Sequence, residues 1–265
     1  MVKEFDNKNY WALILGGSSG LGLATAQKLA DHGMNICVIY RAPRVHEAEI
    51  QNEFKDITQN GVEFLAFNVD ALSPVKRNEV IKTLQTKFKK NGSIKVLVHS
   101  IAKGNLKPMV DDNNLTLKNQ DFLLTINAMA ISLYDWTQAV LEAKLFCEDA
   151  RVISFTSEGN SKSWRGYAAV SAAKTTLEAI TRNIALEMAP YGIKANCIQA
   201  GVTDTASFRA IPGNKQLEEM ALKRNPSHKL TSPQDVANVV YLLTKDEASW
   251  INGSIITVDG GEHLS

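Results

Sequence analysis

The stretch Gly16-Gly17-Ser18-Ser19-Gly20-Leu21-Gly22 packs four glycines into seven residues, between an apolar run at 11–15 and a helical pattern starting near Gly20. Backbone N–H groups at such a helix start lack intrahelical partners and are positively polarised, which suits a pyrophosphate. Glycines let the chain turn sharply and come close to phosphates without Cβ clashes. The spacing is GxxxGxG rather than GxGxxG, and a merely structural turn is the competing reading; its place in the first strand–turn–helix unit favours the ligand. The next apolar run ends in Tyr40-Arg41, with Arg44 one helical turn further on. An NAD-selective site usually carries an acid there, about 20 residues beyond the glycines. A guanidinium clamps a 2′-phosphate in a bidentate way, so Arg41 and Arg44 favour NADPH, with NADH as the alternative. Two solvated arginines are the bland reading.

Other chemistries are disfavoured. The five histidines show no metal-ligand spacing, and Cys37, Cys147 and Cys197 are widely separated and odd in number. Small core cysteines in a reducing compartment are expected, with no metal and no disulfide framework. A formal charge of +1 gives no general attraction to nucleic acid or an anionic membrane. The first nine residues are polar, and no apolar run approaches the length of a membrane span. A cytoplasmic protein is expected.

These residues need elements to position them. Short apolar runs at 11–15, 35–40, 62–67, 94–99, 151–155, 195–198 and 255–258 alternate with helical patterns near 20–32, 44–59, 74–90, 119–147, 166–189 and 233–244. Continuously apolar strands belong to a parallel sheet covered on both faces. The succession predicts a doubly wound (Rossmann) α/β fold of about seven parallel strands, one domain over 1–265. The stretch 203–231, with Pro212, Gly213, Asn214 and Pro226, follows a strand and should lie at the carboxyl edge of the sheet. It reads as a substrate flap, or as a plain surface connection.

With these elements in place the chain resembles the short-chain dehydrogenase/reductase superfamily along nearly its whole length. The matching pieces are the glycine turn, Asn127, Ser157, Lys174, Ala200-Gly201 through Thr205, and Val258-Asp259-Gly260-Gly261. The family's Tyr-x3-Lys pattern would place a tyrosine at Val170; instead Tyr167-x6-Lys174 is present. Seven residues on a helix turn about 700°, so the pair shares a face roughly 10 Å apart along the axis. This spacing, and Val98-His99-Ser100-Ile101-Ala102 after the fourth strand, resemble bacterial enoyl-acyl carrier protein reductases. The compact glycine loop, Asn127, and Ser157 in place of a second tyrosine resemble their NADPH-dependent branch.

The resemblance implies reduction of an enoyl thioester in fatty-acid synthesis. Hydride addition at C3 would gather charge on the thioester oxygen, where Tyr167 would donate, because stabilising developing charge is usually the largest catalytic term. Lys174 would bind the nicotinamide ribose and favour the donating or ionised phenol. Ser157 would hold substrate or water, or cap its own turn; Asn127 would organise water or kink its helix. Asn68, with Asp70 as its alternative, and Val69 would flank the adenine. Ser100, Ile101 and Ala102 would line the ribose side, and Gly16, Ser18, Ser19, Gly20, Leu21, Gly201, Thr203 and Thr205 would meet the phosphates or carboxamide. His99 reads as a strand-end residue. In the flap, Arg209, Lys215, Lys223, Arg224 and Lys229 outnumber Glu218 and Glu219; they steer an acidic acyl carrier protein or are simply solvated. Phe208, Ile211, Leu217 and Met220 close over an acyl chain or are ordinary packing. Coenzyme A thioesters are the alternative substrates, and the family implies a homotetramer built through the 119–147 and 166–189 helices. Carbonyl reduction, for example of a 3-oxoacyl thioester, dienoyl thioester reduction, and a non-catalytic dinucleotide-binding sensor are the rival readings.

Overall fold

A computed structural model describes residues 3–112 and 115–264 of the chain; Met1, Val2, Asn113, Asn114 and Ser265, part of the 1–265 domain expected above, lie outside them. Seven strands, β1 (Tyr10–Leu15), β2 (Asn35–Tyr40), β3 (Phe64–Asn68), β4 (Ser93–His99), β5 (Phe146–Thr156), β6 (Ile193–Ala200) and β7 (Ile255–Val258), form one sheet ordered β3-β2-β1-β4-β5-β6-β7. Every pairing is parallel. This is the expected doubly wound fold. The order reverses between β1 and β4, which opens a crevice at their carboxyl ends.

Alternation along each strand sorts side chains between two cores. In β1, Trp11, Leu13 and Leu15 join Leu84, Trp136 and Leu177 on one face, while Ala12 and Ile14 join Leu29, Phe54 and Val240 on the other. The first face is covered by α3 (Pro74–Lys87), α5 (Ser132–Glu142) and α6 (Ala168–Glu187). The second is covered by α1 (Gly20–Asp31), α2 (Glu47–Thr58) and α9 (Pro233–Thr244). Both faces of β1 are therefore buried, which explains its unbroken apolar sequence. Among the described residues no helix is long and apolar enough to cross a membrane, and the three cysteines are free.

Several boundaries differ from the expected ones, and those nearest the site matter most. The helix expected over 119–147 is broken into α4 (Asn119–Ile126), a π-helical turn (Asn127–Ile131) and α5. It ends at Glu142 because Lys144 takes a left-handed backbone (φ 55) and turns the chain into β5. β5 starts at Phe146, five residues ahead of the expected 151; its first half carries Glu148 and Asp149, so its sequence does not look like a buried strand. Asp149 is held there by Lys95, Arg151 and Lys194, the first two almost wholly buried. Finally, α6 starts at Ala168, so Tyr167 is its N-cap residue and stands just outside the helix.

The 203–231 stretch leaves and rejoins the body at one point, a parallel bridge between Thr203 and Thr231. Between these ends lie α7 (Ala206–Arg209) and α8 (Asn214–Arg224). The excursion sits over the carboxyl ends of the strands, as its position after β6 predicts.

Candidate active site

A cavity of about 880 Å³ opens along the carboxyl ends of the strands. At one end the glycine turn joins β1 to α1. Gly16 N donates to Ile39 O at 2.8 Å, and Ser100 N donates to Leu15 O at 2.8 Å, stitching the turn to both neighbouring strands. Gly16 has φ +82, and a Cβ there would lie 2.3 Å from Ser100 O, so only glycine fits. The α1 N-cap, Ser19, makes no side-chain cap bond, and no acid occupies the first turn. Those N–H groups are left for an anion, as a dinucleotide pyrophosphate requires. Gly16, Ser18, Ser19, Gly20 and Leu21 all line the cavity.

At the adenosine side, Arg41 and Val69 line the cavity, and Arg41 Nη1 pairs with Asp70 Oδ2 at 2.7 Å. Two residues expected there are elsewhere. Arg44 is exposed on a 3-10 turn away from the cavity. Asn68 is absent from the lining, because its side chain is spent on Ala42 N, Ala42 O and Glu47 Oε2. Asp70, the alternative to Asn68, lines the cavity instead. Glu47 also accepts from the Tyr40 hydroxyl at 2.6 Å, and burial together with this contact pushes the Tyr40 phenol up to about 12.

At the other end, Ser100, Ile101, Ala102, Ser157, Tyr167, Lys174, Gly201, Thr203 and Thr205 converge on the same cavity. Lys174 reaches back from α6 to donate to Phe155 O at 2.6 Å. Burial pulls its pKa down to about 8, opposed by Cys197 and Glu178. Burial raises the Tyr167 phenol, opposed by the Ser157 hydroxyl beside it; Tyr167 is therefore a protonated donor at neutral pH. The Ser157 Oγ is buried and makes no hydrogen bond of ordinary geometry. Thr205 caps α7, its hydroxyl accepting from Phe208 N, and Thr203 Oγ1 donates to Gly201 O at 2.9 Å. His99 is buried with Nε2 2.8 Å from Ser132 Oγ. Burial and then Lys174 drop its pKa to about 3, so the ring is neutral.

Asn127 is not brought to the site. It opens the π-helical turn on the exposed side, and the turn rotates Ala128, Met129 and Ala130 inward, so Met129 lines the cavity in its place. Of the two roles weighed for Asn127, its position matches the break in the helix. Arg224 also departs from expectation. Rather than facing solvent it turns in, with both Nη atoms 3.0 Å from Glu158 Oε2 and Nη2 2.6 Å from Glu262 Oε1. Arg209 pairs with Asp204, and Lys229 with Asp235. Among the described residues only Lys215 and Lys223 of the five flap cations make no ion pair. Phe208, Ile211, Leu217 and Met220 line the cavity beside Leu106 and Val170.

A doubly wound sheet with a glycine turn at its switch point and a Tyr–Lys pair facing the same cavity defines a dinucleotide-dependent oxidoreductase. The chain belongs to the short-chain dehydrogenase/reductase family: residues 16–263 match the family model described as enoyl-(acyl carrier protein) reductase. It is 28% identical to a 7alpha-hydroxysteroid dehydrogenase of Paraclostridium sordellii, covering 97% of this chain and 93% of that protein. It is also 28% identical to the 3-oxoacyl-(acyl-carrier-protein) reductase FabG of Staphylococcus epidermidis, covering 97% and 100%. Two solved structures are 25% identical with a TM-score of 0.81. One is a short chain dehydrogenase from Burkholderia cenocepacia in complex with NADP, covering 97% of this chain and 98% of that one. The other is an enoyl-(acyl-carrier-protein) reductase (NADH) from Aquifex aeolicus, covering 98% of each.

Proposed function

We propose that this chain reduces the carbon–carbon double bond of an enoyl thioester, with NADPH as reductant, as an enoyl-acyl carrier protein reductase of fatty-acid synthesis. The carrying observation is the phenol. Val170, four residues before Lys174 and the position that a Tyr-x3-Lys enzyme fills with tyrosine, is buried and apolar. The phenol that lines the same cavity as Lys174 is Tyr167, one residue ahead of α6. The NADP-bound neighbour and Arg41 support the choice of dinucleotide.

When bound, the dinucleotide supplies a hydride. The chain's own work lies on the substrate side. Reduction at C3 moves negative charge onto the thioester oxygen, displaced from the reacting carbon, and a donor set back along the site meets it there. Tyr167 is that donor, kept protonated by burial. Lys174, which lines the same cavity, is the positive charge we assign to the phenol and to the ribose hydroxyls. Phe208, Ile211, Leu217 and Met220 give the acyl chain an apolar wall, which supports the reading of 203–231 as a substrate flap. Lys215 and Lys223 are the cations left to attract an acidic carrier protein; a coenzyme A thioester uses the same cavity. Exposed Leu123, Leu124, Ile131 and Tyr134 on α4, the π turn and α5 support assembly into a homotetramer through these helices and α6. Light scattering tests that by mass.

Arg41→Ala should raise KM for NADPH by roughly tenfold or more, since charge-assisted hydrogen bonds are worth about 1.5–3 kcal/mol. KM for NADH should stay within about threefold. Equal effects on both would remove Arg41 from phosphate recognition. The full-length similarity to a 3-oxoacyl reductase favours a second reading, carbonyl reduction of a 3-oxoacyl thioester. Mixing the chain with NADPH and either thioester, and following loss of nicotinamide absorbance, separates the two. Turnover of the 3-oxoacyl but not the enoyl compound decides for the second.

A further inference from the structure

Tyr167 presents a problem that a tyrosine at 170 would not. It has φ −109 and ψ 0, outside the helix, and its side chain makes no cap bond. A side chain within a helix is directed by the preceding turn and by neighbours three and four residues away. Tyr167 has no preceding helical turn. Its ring must be aimed by something else.

The loop between β5 and α6 does this. The Trp164 ring lies on Tyr167 with centroids 4.2 Å apart and planes 32° from parallel. Gly159, in a 3-10 turn (Glu158–Asn160), closes the edge of the same pair. A Cβ on Gly159 would lie 2.3 Å from Tyr167 Cε1, 3.0 Å from its Cδ1 and 3.0 Å from Trp164 Cη2. No side chain fits there unless a ring moves. The loop is braced on both sides. Glu178 of α6, itself buried, accepts from Thr156 Oγ1 at 2.5 Å and Asn160 Nδ2 at 2.6 Å, and Glu158 is tied to Arg224 of α8. The Trp164 Nε1 is buried without a hydrogen-bond partner. An unmet buried donor is unfavourable; the contact Trp164 makes with Tyr167 is through its ring face.

We propose that Gly159 and Trp164 are positioning residues that clamp the Tyr167 ring and aim its hydroxyl, replacing the guidance that helical placement would give. The proposal rests on Tyr167 being the proton-donating group of the reaction proposed above, and holds whether the thioester reduced is an enoyl or a 3-oxoacyl one.

The test compares the parent chain with Gly159→Ala, Trp164→Ala, Trp164→Phe and the double alanine variant. Each is assayed with NADPH and both trans-2-octenoyl-coenzyme A and 3-oxooctanoyl-coenzyme A. NADPH affinity is read by fluorescence and folding by thermal unfolding. Misplacement by about 1 Å costs on the order of 100-fold. Gly159→Ala and Trp164→Ala should therefore lower kcat by roughly 30-fold or more on whichever thioester the parent turns over. KM should stay within about threefold and NADPH affinity within about twofold. Trp164→Phe keeps a ring face and should retain kcat within about threefold. Once one side of a clamp is gone the other holds little, so the double variant should fall well short of the product of the single losses. A readout that needs no turnover uses ring-labelled tyrosine in nuclear magnetic resonance, with Tyr167 assigned by its loss in Tyr167→Phe. Its ring signals should move in both alanine variants. Unchanged kcat or unmoved Tyr167 signals in Gly159→Ala overturn the clamp, as does an equal loss in Trp164→Phe and Trp164→Ala. A parent active only on the 3-oxoacyl compound overturns the enoyl reading and leaves the clamp judged by the same variants.

Discussion

Tyr167→Phe should lower kcat by about two to three orders of magnitude while NADPH affinity stays within about twofold, the usual loss when one donor to a developing oxyanion is removed. The ring itself is retained, so the stack on Trp164 and the packing against Gly159 survive. Only the hydroxyl is lost, from a residue that lines the cavity together with Ser157 and Lys174. Because burial raises this phenol, activity should not require its ionisation, and the parent should show no fall in rate as pH drops from 8 to 6 on its account. A variant that keeps more than about a tenth of the parent kcat would remove Tyr167 from the reaction.

Lys174→Met carries the second large effect, and it has two opposite parts. Activity should fall by at least about 100-fold, with weaker NADPH binding, since the charge proposed to support both Tyr167 and the ribose is gone. Stability should rise. Burial lowers the pKa of Lys174 to about 8 from an ordinary 10.5, so the folded chain holds this proton less tightly than the unfolded chain does. Stability linked to this group therefore increases as pH rises from about 8 to 10.5, and the charged lysine costs stability below 8. Removing it should stabilise the chain by roughly 1–3 kcal/mol at pH 7, offset in part by the bond lost to Phe155 O. The same titration predicts that kcat/KM for NADPH declines above about pH 8 in the parent and loses that limb in Lys174→Met. A variant both inactive and less stable across this range would mean that Lys174 serves the fold.

The glycine end of the cavity could be read from sequence because its determinants are local. The glycine turn must follow a strand and open a helix, and residues 10–31 do so in order. Ser100, Ile101 and Ala102 were readable for the same reason, lying directly after β4. The failures are non-local. Arg224 looks like any flap cation until Glu158, 66 residues away, and Glu262, 38 away, are seen to hold it. Asn127 is kept out of the cavity by a π turn that shifts the helical phase, and nothing in the pattern around it announces the extra residue. Arg44 and Asn68 sit at plausible distances along the chain, but a 3-10 turn and a bond network to Ala42 and Glu47 point them elsewhere. Gly159 and Trp164 lie in a polar loop without periodicity, and their meaning appears only when the ring they touch is in place.

The shape of the substrate end follows from one displacement. Moving the phenol from 170 to 167 takes it off the helix, leaves an apolar side chain at 170, and makes the β5–α6 loop responsible for the donor. A displaced donor suits an oxygen set back from the carbon that receives hydride, and this links the geometry to the double bond of an enoyl thioester. The most direct test is NADPH oxidation by the parent chain with trans-2-octenoyl-coenzyme A and 3-oxooctanoyl-coenzyme A in parallel. The account predicts kcat/KM for the enoyl thioester at least about tenfold above that for the 3-oxoacyl thioester. The reverse order, or turnover of the 3-oxoacyl compound alone, would contradict it.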